Sequence, residues 1–353
     1  MDLVRAADIG GTVSSFISGL DLSEAFFAEV LRPLLASAFP QLEYSCGLLG
    51  SGSEVLGFDD EMSTDHHWGP RAMLFLLDAD YESMSRRITT VLSQKLPHSF
   101  RGYPTNFTPP DLNDNGTQML QLKESGPINH RVEIFTIQGF FKDYIGFDIA
   151  KDLTPYDWLA IPQQKLRSVT TGRIFHDDLR LAEARSRFSY YPRNVWLYLL
   201  AAAWKRIEEA EHLVGRSGYV GDELGATIIA SCIVRDIMRV CFLMEKQYIP
   251  YPKWFGTAFN ELESAADLAP LLALTLTAHD WKDRQGYLCS SYEVLATKFN
   301  ERGIVDMLPT KPEQFFNRPF LVLSKGRFSQ ALIKKIDDPA VKKTARQASH
   351  RIH

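Results

Sequence analysis

A short Gly/Ser turn followed by an acidic, histidine-rich segment could do chemistry on a phosphorylated substrate. The turn spans residues 50–53 (GSGS), and Asp65, His66 and His67 follow it, with Asp65 twelve residues after Ser53. Backbone N–H groups in such a turn can hold phosphate oxygens, and carboxylates can hold divalent cations. The transfer of a nucleotide needs phosphate and metal side by side. The order of these residues therefore indicates nucleotide chemistry.

A carboxylate from a later strand would complete such a site. Glu133 is the best candidate, because it lies inside the apolar run 131–137, where an unpaired charge is costly. Alternate residues of an extended segment point the same way, which predicts Asp65 and His67 on one face and His66 on the other. Two or three oxygen ligands would let Mg²⁺ bridge a triphosphate and orient an acceptor hydroxyl for in-line attack.

Arg71 closely follows this cluster. It could hold a phosphate through two hydrogen bonds, or it could equally pin Asp65 or Asp78. The sequence alone gives both roles the same weight. The side chains expected to be catalytic are Asp65, Glu133 and Arg71, and those expected to bind a metal are Asp65, His67 and Glu133.

The elements that must position these residues have the patterns of strands interleaved with helices. Apolar runs flank the turn on both sides and predict buried strands, and two later segments alternate in strand fashion. The predicted strands are residues 44–49, 71–77, 118–122 and 131–137, and the predicted helices are residues 22–39, kinked at Pro33, and 81–96. Such interleaving predicts an α/β or α+β domain, of which we take α+β.

After residue 154 the pattern changes to long amphipathic helices. One of these segments, residues 222–247, is apolar nearly all round, which predicts a buried central helix. The predicted helices are residues 194–214, 222–247, 262–276 and 281–299. Residues 190–305 therefore form a predicted helix bundle. We expect an α/β domain over residues 1–180 and a helical domain over residues 181–353, which together give the α+β class.

Charged residues of these helices have structural as well as functional interpretations. Glu208, Glu211 and His212 crowd one helix, where a solvated acidic face is favoured over a general base. Arg235 and Arg239 lie four residues apart on the predicted buried helix, so internal ion pairs are favoured over a substrate phosphate. Their candidate partners are Asp236, Glu223 and Glu245.

The composition limits the class of protein. The 353 residues are enough for two domains, and 45% hydrophobic with 23% charged residues is typical of soluble globular proteins. A net charge of −4 gives no general attraction to nucleic acid or anionic membranes, and no apolar run could span a bilayer. The first residues show no secretory signal. Four separated cysteines without a CxxC pair favour reduced thiols in a cytoplasmic protein.

The motifs resemble two nested families. Residues 52–57 (GSEVLG), followed by Ser63 and Asp65, resemble the polymerase-beta-like nucleotidyltransferase superfamily. The pattern of that superfamily is a Gly-Ser turn, a spacer of about ten residues, and two acidic residues with one residue between them. More narrowly, GSGSEVLGFD and STDHHWGPR resemble the signature of a domain-of-unknown-function family with a nucleotidyltransferase-like core. Residues 204–225 and 248–259 resemble the same family.

This resemblance implies an N-terminal nucleotidyltransferase-like mixed sheet with flanking helices, followed by a C-terminal helical bundle that closes over the site. It also implies Mg²⁺ or Mn²⁺ and a nucleoside triphosphate, with ATP expected. In antibiotic-modifying members a basic residue of the helical half approaches the triphosphate, which suggests Lys253; a solvated Lys253 beside a packed Trp254 is the alternative. The residues expected to bind nucleotide are Gly50, Ser51, Gly52, Ser53 and Lys253.

One position departs from the superfamily pattern. The pattern has a carboxylate where this chain has His67, and Mg²⁺ prefers oxygen ligands, whereas imidazole favours Zn²⁺, Cu²⁺, Ni²⁺ or iron. In one alternative, His67 ligates a softer metal. In a second, Mg²⁺ is held without it, by Asp65, Glu133 and one of Asp59 or Asp60. In a third, the site binds nucleotide and does no chemistry.

Two functions of different classes follow. The leading one is a metal-dependent nucleotidyltransferase that moves a nucleoside monophosphate from a triphosphate to a hydroxyl of a small molecule or a protein. A small-molecule acceptor is preferred over nucleic acid, because the chain is slightly acidic and lacks a long basic stripe. The other is a nucleotide- or metabolite-binding protein on the same fold, or a biosynthetic enzyme of another class that reuses the pocket. No membrane partner is expected, and the oligomeric state stays open.

Overall fold

The computed structural model describes residues 16–350, with side chains described through residue 345. The expected absence of a secretory signal concerns residues that lie almost wholly outside this range. The chain forms two compact units. The first comprises the chain up to Asp152 together with Ile161–Ser189, and the second comprises Leu153–Ala160 and the chain from Tyr190 onward. Among residues 16–350, none of the helices combines the length and apolar character that a bilayer crossing requires.

The first unit is built on a small mixed sheet. The strands of the described chain are β1 (Tyr44–Leu48), β2 (Arg71–Leu76), β3 (Ser99–Phe100), β4 (Tyr103–Pro104), β5 (Arg131–Thr136), β6 (Arg173–Asp177), β7 (Glu313–Gln314) and β8 (Leu321–Val322). The sheet has the order β5-β2-β1-β6, in which β1 is antiparallel to β2 and β6, and β2 is parallel to β5. The α+β class expected from the sequence is confirmed.

The register of the central strands brings the ends of three strands to one edge of the sheet. Every residue of β1 and β2 is buried, as their apolar runs predict. Gly47 of β1 lies opposite Met73, and Arg71 lies opposite Arg131. Because β1 runs against β2 and β5 runs with it, the end of β1 and the starts of β2 and β5 share an edge. The Gly/Ser turn leaves β1 at this edge.

Helices surround the sheet and make up most of the second unit. The helices are α1 (Gly19–Phe26), α2 (Arg32–Ala38), α3 (Ser53–Leu56), α4 (Asp78–Lys95), α5 (Ile137–Ile145), α6 (Pro155–Ala160), α7 (Gln163–Thr170), α8 (Leu181–Ser186), α9 (Arg193–Tyr219), α10 (Glu223–Met244), α11 (Phe255–Asn260), α12 (Ala265–Thr277), α13 (Trp281–Glu301), α14 (Arg327–Lys334) and α15 (Pro339–His350). A π-helical turn at Phe27–Leu31 joins α1 and α2, and 3₁₀ turns lie at Glu61–Asp65 and Pro252–Trp254.

The kink predicted at Pro33 takes the form of the π-helical turn. The N–H of Arg32 donates to the carbonyl of Phe27, one residue further back than in an α-helix. Pro33 has no N–H and cannot continue the α-helical ladder, so the hydrogen bonds are rerouted just before it. The helix thus continues through the proline and keeps Phe26 and Leu35 buried.

The predicted strand at residues 118–122 is wrong. Leu120 makes only an isolated bridge with Phe107 within the described chain. The N–H of Thr108 donates to the carbonyl of Met119 at 2.8 Å, but the next two residues, Pro109 and Pro110, have no N–H groups. The ladder is therefore interrupted after Thr108 and resumes only as an isolated bridge between Asp111 and Thr117, so the segment packs as a loop.

The second unit is a helical bundle around α9 and α10. Trp204 of α9 is fully buried and stacks on Phe328 of α14 at a centroid distance of 4.1 Å. The predicted helices are present, with α9 and α13 each longer than predicted. The sequence predicted that the helical domain begins at residue 181. The second unit instead resumes at Tyr190, and it also contains α6.

The solvated acidic face predicted for Glu208 and Glu211 is wrong. Both side chains are buried. Glu211 accepts backbone N–H groups from the segment that leads into α14, and Glu208 accepts one from the first turn of α14 itself. Glu211 accepts from Leu323 at 2.7 Å, and Glu208 accepts from Ser329 at 3.1 Å. The spacing of i and i+3 turns both carboxylates inward, where backbone donors replace water.

The two arginines of α10 differ in their surroundings. Arg239 forms an ion pair with Asp236 at 3.0 Å, as predicted, and Arg206 of α9 joins the same carboxylate at 2.8 Å. Arg235 is exposed, so the buried position predicted for it is wrong. A helix that is apolar on most sides can still leave one stripe in solvent.

Candidate functional site

The Gly/Ser turn joins β1 to α3. Gly50 and Gly52 have φ angles of 81° and 141°, in the region that glycine adopts without a steric penalty. The N–H of Gly50 donates to the carbonyl of Ser168 at 2.9 Å and anchors the turn. The N–H groups of Ser51, Gly52 and Ser53 enter no hydrogen bond with the described residues. Three consecutive donors are therefore available to an anion.

Arg71 holds this turn from inside the sheet. Its Nη2 lies 2.5 Å from Oε1 of Glu54, and both side chains are almost wholly buried. The same Nη2 donates to the carbonyl of Ser51 at 2.8 Å. The alternative in which Arg71 pins Asp65 or Asp78 is wrong, because a buried guanidinium takes the carboxylate and carbonyl that are buried with it.

His67 is fixed by its backbone and by Arg131. Its φ angle is 54°, an unusual value for a residue other than glycine, and its N–H donates to the carbonyl of Gln118 at 2.7 Å. A nitrogen of Arg131 donates to Nδ1 of His67. A guanidinium has no acceptor atom, so Nδ1 must be unprotonated and Nε2 carries the imidazole proton. Burial, followed by the charges of Arg131 and Arg71, lowers the pKa of His67.

Glu133 reaches the same edge of the sheet from β5. Its side chain is 44% exposed, and its Oε1 lies 3.7 Å from Nη2 of Arg131. Arg131 thus has His67 on one side and Glu133 on the other, and it also donates to the side chain of Gln118 at 3.2 Å. The structure therefore brings Glu133 and His67 together through an arginine.

The extended alternation predicted for Asp65 and His67 is absent. Residues Glu61–Asp65 form a 3₁₀ turn, so the alternation expected of an extended segment does not apply. Asp65 Oδ1 instead lies 2.5 Å from Nδ1 of His66, and the His66 and His67 rings meet edge to face at 6.1 Å. A line of contacts runs from Asp65 through the two histidines and Arg131 to Glu133.

Asp59 and Asp60 have structural partners. Asp59 Oδ2 accepts from the N–H of Gly19 at 2.6 Å and from the indole of Trp68 at 2.9 Å. Asp60 forms a capping box with Ser63 at the start of the 3₁₀ turn. These hydrogen bonds occupy Oδ2 of Asp59 and Oδ1 of Asp60, and a role of either aspartate in a Mg²⁺ site stays a prediction.

The donor set predicted for a metal does not fit one in this arrangement. Among residues 16–345, no three His, Cys, Asp or Glu side chains stand close enough to hold a metal ion together. His67 offers Nδ1 to Arg131 and has its proton on Nε2, so it has no lone pair left for a metal. Asp65 and Glu133 are the remaining oxygen donors of the predicted set, and both keep exposed side chains.

Lys253 belongs to the second unit. Its Nζ lies over the ring of Trp254, 4.5 Å from the centroid. This contact agrees with the alternative in which the lysine accompanies a packed tryptophan. Its approach to a triphosphate stays a prediction.

Sequence reasoning missed two residues at this edge, Glu54 and Arg131. Glu54 follows the Gly/Ser turn directly, and Arg131 precedes an apolar strand run. A charged residue at the start of a buried strand needs a partner, which was the available signal for Arg131. The signal for Glu54 was weaker, because a four-residue helix shows too little periodicity to indicate which face is buried.

A separate open cavity of about 650 Å³ lies in the first unit, and its walls include the ends of β2 and α8. Its walls are formed by residues such as Leu76, Ile137, Leu179 and Arg187. The predicted site residues of the first unit do not line this cavity, because they lie where β1 ends and where β2 and β5 begin, while Leu76 ends β2.

The chain is similar to one known family over part of its length. The profile of a family described as Domain of unknown function (DUF4037) matches residues 158–255. This range contains residues 204–225 and most of 248–259, but it includes neither the Gly/Ser turn nor DHHWGPR. No curated protein matches the chain.

The chain also has a distant likeness to solved structures. Among them is the crystal structure of a nucleotidyltransferase-like protein from Exiguobacterium sibiricum 255-15, with 10% sequence identity and a TM-score of 0.33. The likeness covers 79% of this chain and 77% of that chain. Likeness at this level decides neither fold nor function, so both rest on the residues of this chain.

Proposed function

We propose that the first unit binds the phosphate groups of a nucleoside triphosphate, with ATP the expected nucleotide, on a nucleotidyltransferase-like core. One observation carries this proposal: the N–H groups of Ser51, Gly52 and Ser53 are free of described partners at the edge where β1 ends. Consecutive backbone donors of this kind form anion-binding concavities. The sequence resemblance at the turn supports the same conclusion.

The positive charge around the turn favours a polyanion. Arg71 lies directly behind the turn, and Arg131 lies opposite Arg71 on the neighbouring strand. The Nε atoms of both arginines are buried without a hydrogen-bond partner among the described residues. His67 stays neutral beside them, because burial and the two guanidinium groups lower its pKa. Glu54 neutralises Arg71 from the protein side, so Arg131 is the better candidate for a direct phosphate contact.

A second candidate function is nucleotidyl transfer to a hydroxyl of a small molecule or a protein. It is favoured by Asp65 and Glu133, whose side chains are 57% and 44% exposed at the two ends of the contact line. Oxygen ligands are what Mg²⁺ or Mn²⁺ would require. His67 supplies no third metal ligand in this arrangement. Nucleotide binding is therefore favoured over nucleotidyl transfer.

Binding is tested by calorimetric titration with ATP, first in the presence of EDTA and then in the presence of Mg²⁺ or Mn²⁺. Gly52→Ala should weaken ATP binding about tenfold or more, because a Cβ there would lie 2.6 Å from Nη2 of Arg71. Gly57→Ala is the matched control: its φ angle of 77° is also positive, but a Cβ there meets nothing within 4 Å. Equal ATP affinity in both variants and the native protein would rule out the turn as the phosphate site.

Transfer is tested by pyrophosphate release from ATP with each metal and a panel of hydroxyl acceptors. If transfer occurs, Asp65→Ala and Glu133→Gln should lower its rate about a hundredfold or more. Asp80→Ala, in the first turn of α4, serves as the carboxylate control and should leave the rate unchanged. ATP binding without pyrophosphate release under any metal would assign the site to binding alone.

A further inference from the structure

A tyrosine of α5 forms one wall of the Gly/Ser turn. Helix α5 follows β5 and ends at Ile145, and Tyr144 lies in its last turn. A Cβ atom added to Gly50 would lie 3.5 Å from Cε2 of Tyr144, and Oη of Tyr144 lies 3.4 Å from Oγ of Ser51. The phenol group is therefore a direct neighbour of the turn whose amides have no described acceptor.

The hydroxyl groups of Ser51 and Tyr144 keep hydrogen-bonding capacity. Their separation of 3.4 Å exceeds the usual length of an O–H···O hydrogen bond. Ser51 is exposed and Tyr144 is half-buried, so a ligand can reach both. The ring of Tyr144 stacks on Phe140 at a centroid distance of 5.5 Å. The hydroxyl is thus the part of Tyr144 that faces the turn.

Lys165 of α7 brings a positive charge to the same wall. Its Nζ donates to the carbonyl of Tyr144 at 2.6 Å and lies over the ring of that residue, 5.4 Å from the centroid. An ammonium group has three N–H donors, so two of them remain for a ligand. The same helix holds the turn, because the carbonyl of Ser168 accepts the N–H of Gly50 at 2.9 Å.

The charge of Lys165 differs from that of Arg71 in how it is balanced. Glu54 neutralises Arg71, whereas Lys165 forms no ion pair within the described chain. Three backbone amides cannot satisfy all the oxygens of a triphosphate, so the phosphates beyond the first need other donors. On the α5 side of the turn, the hydroxyl of Tyr144 and the ammonium of Lys165 can supply them.

We propose that Tyr144 and Lys165 bind the phosphates beyond the one that the turn holds, and that they make the site select a triphosphate over a monophosphate. This assignment rests on the proposed phosphate site at residues 51–53. Tyr144 donates a hydrogen bond to a phosphate oxygen, and Lys165 donates a charge-assisted one. A monophosphate is held by the turn alone and gains from neither side chain.

The ratio of the AMP and ATP dissociation constants tests this selection. Calorimetric titration in EDTA measures both constants for the native protein and for each variant. Lys165→Met should weaken ATP binding about tenfold or more and AMP binding less than about twofold, because it removes a charge-assisted hydrogen bond that only ATP makes. Tyr144→Phe should lower the ratio about threefold, because a neutral donor contributes less.

Lys142→Met is the matched control. It removes an exposed lysine of α5 two residues before Tyr144, so it changes the net charge near the site equally. The native ratio should persist in this variant. Thermal unfolding shows whether each variant is folded. Lys165→Gln, which removes the charge but keeps an N–H donor for the carbonyl of Tyr144, repeats the test if Lys165→Met is unstable.

The ratio separates phosphate binding from a structural role. A displaced turn would weaken ATP and AMP alike and leave the ratio at its native value. An unchanged ratio in Lys165→Met and Lys165→Gln therefore overturns the assignment of Lys165. If Gly52→Ala still weakens ATP binding in that case, the proposed phosphate site at the turn stands without it. Equal affinity of the native protein for ATP and AMP overturns the selection, and no binding of either nucleotide overturns the phosphate site as well.

Discussion

At the scale of single residues, the hydrogen bond between Arg131 and His67 decides what the histidine can do. A neutral imidazole has one donor and one acceptor nitrogen, and the guanidinium takes the acceptor. His67 is therefore a positioning residue in this arrangement and not a metal ligand. Its positive φ angle of 54° is the kind of local strain that clusters at functional sites.

The pKa of His67 tests this assignment. Arg131→Met should raise the pKa of His67 toward the value of a free histidine, because it removes the nearest positive charge while burial remains. Nuclear magnetic resonance of the imidazole across a pH series measures the midpoint. Arg101→Met, which removes an exposed arginine paired with Glu29, is the control and should not move the midpoint. An unchanged midpoint in Arg131→Met would show that the contact is not formed in solution.

The buried pair of Arg71 and Glu54 gives a stability prediction. Arg71→Met leaves Glu54 charged in a site where its side chain is 4% exposed, so it should cost about 3 kcal/mol or more. Adding Glu54→Gln should restore a substantial part of that loss, because the buried charge is gone. Urea unfolding of both variants measures the difference. A double variant no more stable than Arg71→Met would mean that the charge of Glu54 is not the cause.

The sequence predicted some of these residues and missed the way they combine. The turn and the carboxylate in β5 could be predicted from the sequence. Glycines next to an apolar run and a charged residue inside an apolar run are both local signals. The pairing of Arg131 with His67 joins residues far apart in the chain, and a single sequence does not report such contacts. The alternation predicted for Asp65 and His67 did not apply, because a 3₁₀ turn ends at Asp65 where an extended segment was expected.

At the scale of elements, long periodic segments were the predictable part. β1, β2 and β5 and the long helices of the second unit lie where their patterns indicated. The segment 118–122 alternated like a strand, but Pro109 and Pro110 in the facing loop could not extend a ladder. The inward turn of Glu208 and Glu211 depended on a loop more than a hundred residues later, which helical periodicity does not reveal.

The docking of that loop onto α9 predicts a pH dependence of stability. Burial raises the pKa of Glu211 to about 7, against an ordinary 4.5 and in spite of three backbone N–H donors. The folded state then binds the proton more tightly than the unfolded chain. The free energy of unfolding should therefore fall as the pH rises from about 4.5 to about 7, by up to roughly 3 kcal/mol.

Denaturant unfolding at a series of pH values measures this slope. Glu211→Gln removes the titration and should flatten the slope, whatever it does to the total stability. Glu209→Gln, which alters a neighbouring glutamate paired with Lys205, is the control and should keep the native slope. A native slope in Glu211→Gln would show that this carboxyl group is not the one that titrates.

At the scale of the whole molecule, the chain combines a unit built on a mixed sheet with a helical unit that has its own core. Each unit is held by its own large buried residues, such as Trp68 in the first and Trp204 in the second. The sequence indicated this division from the change of pattern near residue 154, although the second unit begins its long helices only at Arg193.

The most direct test of the central claim is a titration of the ¹⁵N-labelled protein with ATP. Nuclear magnetic resonance monitors the backbone amide signals of residues 51–53. The amides of Ser51, Gly52 and Ser53 have no described acceptor, so they should shift most, with saturation at one nucleotide per chain. Inorganic triphosphate should move the same amides, and adenosine should not. Shifts confined to other parts of the chain, or none at saturating ATP, would contradict the claim that this turn holds the phosphates.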